Sequence, residues 1–69
     1  MACEQKALLE ARVQSCLSLL SELAQAEGAA MRAGNPALMT EIDLKLENAV
    51  GEKERHIGAL KQHVSEHGC

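Results

Sequence analysis

Apolar residues recur along the first half of the chain at helical rather than strand spacing. Between Cys3 and Ala33 there is no proline and only one glycine before Gly34, Gly28, while Ala, Leu, Glu and Gln, all strong helix formers, dominate. With an advance of about 100° per residue, Leu8, Leu9, Val13, Cys16, Leu17, Leu19, Leu20, Leu23, Ala24, Ala30 and Met31 fall within about half the circumference. The opposite half holds Glu10, Gln14, Ser15, Ser18, Ser21, Glu22, Gln25 and Arg32. The pattern predicts one long amphipathic helix over about 3–33.

Three consecutive residues then supply a boundary. Gly34 can take the left-handed conformation that ends a helix. Asn35 is a favoured N-cap, and Pro36 fits the first helical position, where its missing N–H is not needed. Proline also keeps Asn35 out of the helical region, which is the backbone geometry an N-cap adopts. A second helix is predicted over about 36–66, with Leu38, Met39, Ile42, Leu46, Ala49, Val50, Ile57, Leu60 and Val64 as a narrower apolar stripe and Gly68 marking its end.

Each predicted helix is about 31 residues, or roughly 46 Å, so a reversal at residues 34–36 lays two rods of equal length side by side. Facing residue numbers then sum to about 69 or 70: Ala30 with Met39, Leu23 with Leu46, Leu20 with Ala49 or Val50, Val13 with Ile57, Leu9 with Leu60. Two polar residues interrupt the seam. Glu27 falls at the level of Ile42 and Lys53 opposite Cys16; Lys53 can lay its methylenes along the seam with its ammonium in water, whereas Glu27 has a shorter stem.

The fold class expected is therefore all-α, a single helical-hairpin domain over residues 1–69 resembling an antiparallel coiled coil. The apolar band of the first helix spans about 180°, more than the roughly 100° stripe one neighbour covers. Phe, Tyr and Trp are absent, and a chain of 69 residues removes a comparatively small share of its surface from water. The surplus apolar area implies a homodimer forming a four-helix bundle, or docking onto a helical protein partner. Leu8, Leu17, Leu19, Ala24 and Met31 are the candidate partner-binding residues, together with Leu44, which projects from the polar side of the second helix.

A net charge of −3 and a pI near 5.5 leave no basic stripe for nucleic acid. No apolar run reaches the roughly 18 residues of a membrane span, and Met1–Lys6 lacks a basic segment followed by an apolar stretch, so a cytoplasmic location is expected. Three cysteines without a secretory start argue against a disulfide framework, although Cys3 and Cys69 would meet at the open end of a hairpin and could staple it. Cys16 reads as a small core residue.

His63-Val64-Ser65-Glu66-His67 matches the H-x-x-E-H pattern of inverted zinc proteases. Hydrolytic zinc needs a third protein ligand and a walled cleft, and this segment lies in the last turns of a chain too small to build one. Polar histidines at a helix C-terminus suit the negative end of the helix dipole. His63, His67 and Cys69, with His56 two turns away, are the residues from which a non-catalytic metal site would have to be drawn; no metal, cofactor or small-molecule substrate is expected. Glu41 and Lys45 form an i, i+4 pair of favourable orientation, and the charged run Glu52-Lys53-Glu54-Arg55 reads as a solvated helix face. With no nucleophile elbow, phosphate-binding glycine loop or paired-carboxylate site, the chain is expected not to be an enzyme.

The stretch from Leu17 to Leu60 carries leucines, a Glu, an Ala-rich run into Gly-Asn-Pro-Ala-Leu-Met, and a second helix with Lys45 and Lys53. In this it resembles the FlgN-like flagellar export chaperones, with Leu20, Leu23, Glu27, Gly34, Asn35, Leu38 and Lys45 at matching places. The resemblance implies a cytosolic chaperone that holds hook-associated secretion substrates before export. Members of that family are about twice as long, and the C-terminal region with which they engage substrate has no counterpart here. The residues themselves point first to a non-enzymatic helical interaction module, with a cytosolic export chaperone for flagellar or type III secretion substrates and a small helical regulator as alternatives.

Overall fold

Chain reversal is built by the backbone of Gly34 and the side chain of Asn35. A computed structural model describes residues 3–68, except the side chain of Cys3, as α1 (Cys3–Ala33) and α2 (Pro36–His67). Gly34 sits at φ +64°; its N–H donates to the Met31 carbonyl and that of Asn35 to the Ala30 carbonyl, each at 3.1 Å. This pair of bonds is the Schellman pattern, which satisfies carbonyls that the end of α1 would otherwise leave open. Asn35 at once opens α2: its Oδ1 accepts from the Leu38 N–H at 3.1 Å, and its carbonyl accepts from the Met39 N–H at 3.1 Å. No residue separates the two caps, so the helices leave the turn side by side.

At the far end Gly68, at φ 69°, donates its N–H to the Val64 carbonyl at 2.9 Å and closes α2 one residue later than expected. The result is an antiparallel helical hairpin, a rod of 51 × 14 × 10 Å between Cα extremes.

The line of closest approach follows a seven-residue repeat. On α1 the seam is formed by Lys6, Leu9, Val13, Cys16, Leu20, Leu23, Glu27 and Ala30, and on α2 by Met39, Ile42, Leu46, Ala49, Lys53, His56, Leu60 and His63, each of them buried or half-buried. Intervals alternate between three and four in both helices, the spacing of a left-handed coiled-coil seam. Leu9, Ala30, Ile42 and Ala49 are its buried apolar members. Numbers of facing residues sum to about 69, as the matched leucines anticipated, and of the two candidates opposite Leu20 it is Ala49 that is buried while Val50 is exposed.

The expected inner stripe of α2 needs correction at four positions. Leu38, Val50 and Val64 stand outside the seam, and His63 lies inside it, 7% exposed against 37% for its neighbour Val64. A helix drifts about 20° per heptad relative to a seven-residue repeat, so a stripe drawn at fixed angle leaves the seam after a few turns. Ile57, expected opposite Val13, is half-buried beside His56, which takes the inward position.

Lys53 behaves as its stem allows: its side chain is 26% exposed and its ammonium lies 3.3 Å from Glu54. Glu27 points across the hairpin and hydrogen-bonds with the Asp43 side chain. Among the described residues no buried side-chain nitrogen or oxygen is left without a hydrogen-bond partner.

Candidate interaction surface

Two rows of side chains flank a coiled-coil seam on each helix, and in an antiparallel pair like rows lie next to each other. One edge of this hairpin carries Glu10, Leu17, Ala24 and Met31 from α1 beside Asp43, Val50, Ile57 and Val64 from α2. The other carries Arg12, Leu19, Ala26 and Ala33 beside Leu38, Lys45, Glu52 and Ala59. The edges differ in chemistry. The first is apolar except at its two ends, where Glu10 and Asp43 stand; the second is broken along its length by charge.

The sequence-derived candidates divide between these surfaces. Leu17, Ala24 and Met31 fall on the first edge, where Leu17 is 43% and Met31 62% exposed. Leu19 falls on the second edge, with Leu8 just outside it, and both are exposed. Leu44 joins neither: it projects from the outer side of α2, 58% exposed, in a row otherwise made of Ala37, Gly51, Gly58 and Ser65. Val50, Ile57 and Val64 were not among the candidates because the same fixed-angle stripe placed them inward. Their seven-residue spacing, in phase with that of Leu17, Ala24 and Met31, is the signal that finds them.

Near the turn the second edge opens into a shallow groove of about 480 Å³. Ala26, Ala29, Ala30 and Ala33 form one wall, Leu38 and Ile42 the other, and Lys45 stands at the rim. Four alanines within about two turns leave the space on the α1 side. The Lys45 ammonium is engaged with Glu41 at 3.7 Å, the i, i+4 pair expected from the sequence, and both groups are well solvated.

The histidines are dispersed. His63 and His67 lie one turn apart with ring centroids 4.7 Å from each other, while His56 Nε2 faces Glu52 at 3.6 Å. Among the described residues no three His, Cys, Asp or Glu side chains converge as a metal site would require. Cys69 lies outside the described residues, as does the proposed Cys3–Cys69 staple; Cys16 is a free thiol half-buried in the seam. Among the described residues no helix is long and apolar enough to cross a membrane.

No family model, curated protein or solved structure matches the chain.

Proposed function

We propose that the chain is a non-enzymatic helical protein–protein interaction module whose working surface is the apolar material outside the seam. The observation that carries this reading is the exposure of Leu8, Leu17, Leu19, Met31, Leu38, Leu44, Val50 and Val64 on a molecule whose buried apolar core, among the described residues, consists of four side chains. Isolated exposed leucines are ordinary; apolar side chains at seven-residue spacing along one edge of a rod, as Leu17, Ala24 and Met31 stand beside Val50, Ile57 and Val64, are the form in which helices recognise other helices.

Photocrosslinking in cells tests it. A photoreactive residue placed at position 17 or 19 is expected to give covalent adducts, and one at position 25, on the solvated back of α1, none. Absence of adducts from every edge position would sink the reading. An adduct with a secreted α-helical protein would make the module the export chaperone that the flagellar resemblance implies. One with a regulatory factor would make it a small helical regulator.

A further inference from the structure

We infer that the Leu17/Ala24/Met31–Val50/Ile57/Val64 edge is occupied by the same edge of a second copy, so that two hairpins form a four-helix bundle. This inference rests on the interaction-module reading and names its partner.

Three observations select a second copy. The first is area. The chain exposes 4886 Å², whereas a folded monomer of 7.4 kDa exposes about 4,200 Å². The difference, about 700 Å², is close to the roughly 800 Å² that each partner buries in a standard interface. A single association therefore brings the exposed surface back to the ordinary range.

The second is length and phase. The apolar edge runs from the level of Glu10 and Val64 to that of Met31 and Asp43, along most of a 51 Å rod, and its residues repeat every seven. A partner must supply a rod of similar length with the same repeat, and this hairpin is one. Pairing a surface with itself about a two-fold axis closes the assembly and leaves no second copy of the surface uncovered.

The third is charge. Next to this edge on α1 stand Ala7, Gln14, Ser21 and Gly28, none of them charged, so a neighbouring helix can approach α1 without desolvating an ion, while the charged flank on α2, Glu47, Glu54 and Lys61, is left at the rim of the interface. The opposite edge has no such margin, because Arg12, Lys45 and Glu52 lie within it. In the proposed bundle the seam positions and this one edge form the interior, while the alanine groove faces outward.

The test is the mass of the purified chain. Sedimentation at about 50 µM is expected to give twice 7.4 kDa, with a melting temperature that rises with protein concentration. Leu17→Glu combined with Val50→Glu should return the mass to that of a single chain, and Leu19→Glu, on the other edge, should leave the dimer intact. Should the double variant lose its helical circular dichroism, photocrosslinking of the purified chain decides: a photoreactive residue at position 17 is expected to yield covalent dimer and one at position 19 none. A single-chain mass throughout the concentration range would overturn the inference, as would a dimer broken by Leu19→Glu and kept by the double variant. A single-chain mass together with cellular adducts from position 17 would overturn the second copy alone and leave the interaction-module reading standing.

Discussion

Glu27 of α1 and Asp43 of α2 hydrogen-bond carboxyl to carboxyl across the hairpin. Two carboxylates have no donor between them, so the bond requires a proton, and it holds the Glu27 pKa above its ordinary value of 4.5. The hydrogen bond is the largest cause, followed by partial withdrawal from water and by the charge of Asp43. Among the described residues no cation relieves the pair from either helix: the side chains adjoining Glu27 on its own face of α1 are Leu23, Ala24, Ala30 and Met31, and on α2 Lys45 stands on the opposite edge, engaged with Glu41.

A raised carboxyl pKa in the fold fixes the sign of the pH dependence. The folded chain holds the proton more tightly than the unfolded chain, so the contribution is complete below about pH 4.5 and is lost as pH rises through the higher folded value. At neutral pH the ionised pair works against the hairpin. Glu27→Gln supplies a permanent donor to Asp43 in the same shape. It is expected to raise the melting temperature at neutral pH and to flatten its fall between pH 4.5 and neutrality; an unchanged profile would show that the pair does not titrate with folding.

The turn should be sensitive out of proportion to its size, because two adjacent residues, Gly34 and Asn35, cap both helices. Asn35→Ala removes the acceptor for the Leu38 N–H and is expected to cost about 1 kcal/mol. Gly34→Ala has open space for the methyl group, yet forces a left-handed conformation on an L side chain at a cost of about 1–2 kcal/mol. In a domain of this size each kcal/mol corresponds to about 4–8 °C in melting temperature, measured at one protein concentration. Gly34→Ala should therefore lower the melting point although it touches nothing.

Leu8 and Leu9 are adjacent in sequence and opposite in consequence. Leu9 is 6% exposed in the seam and Leu8 is 52% exposed beside it. Truncating Leu9 to Ala is expected to cost about 2–5 kcal/mol, whereas Leu8→Ala should stay within about 0.5 kcal/mol. Equal losses from the two in chemical denaturation would contradict the seven-residue seam.

This contrast also marks where the sequence was readable. The reversal was legible because Gly34, Asn35 and Pro36 each satisfy a different backbone demand at consecutive positions, and no other stretch does so. Register followed from equal helix lengths and matched leucines. The division between seam and edge was not legible at a fixed angle of 100° per residue: over four heptads the seam drifts by about 80°, enough to carry His63 inward and Val64 outward. That drift merged Leu17 and Met31 with true seam residues into one broad band. It also concealed that Lys6, His56 and His63 occupy inward positions, which no hydrophobicity scale would place there. Glu27 stood out in the sequence as a misfit, but its partner Asp43 became visible only when the two helices were set side by side.

Gly58 interrupts α2 without a structural need. It is exposed, and a methyl group built there meets nothing within 4 Å. Glycine inside a helix is less favourable than alanine by about 0.5–1 kcal/mol, chiefly through the freedom it retains when unfolded. Gly58→Ala is expected to raise the melting temperature by several degrees with the mass in solution unchanged, since the row containing Leu44 and Gly58 faces away from the proposed interface.

Asp43 links the carboxyl pair to association, because it stands at the turn end of the same edge as Met31 and Val50. Covering that edge with a second hairpin takes the pair further from water, and desolvation disfavours the charged form of a carboxyl group. Each hairpin should then take up part of a proton on pairing, and the dissociation constant should fall as pH is lowered from neutrality, by at most about tenfold per pH unit for each proton taken up. Asp43→Asn removes one of the two charges and leaves Glu27 an amide donor without waiting for a proton. The variant is expected to associate more tightly than the parent at neutral pH and to lose most of the pH dependence, both readable by sedimentation across a pH series. An interface on the other edge would leave Asp43 in water, and the same series would then show the parent and the Asp43→Asn chain associating with equal strength at every pH.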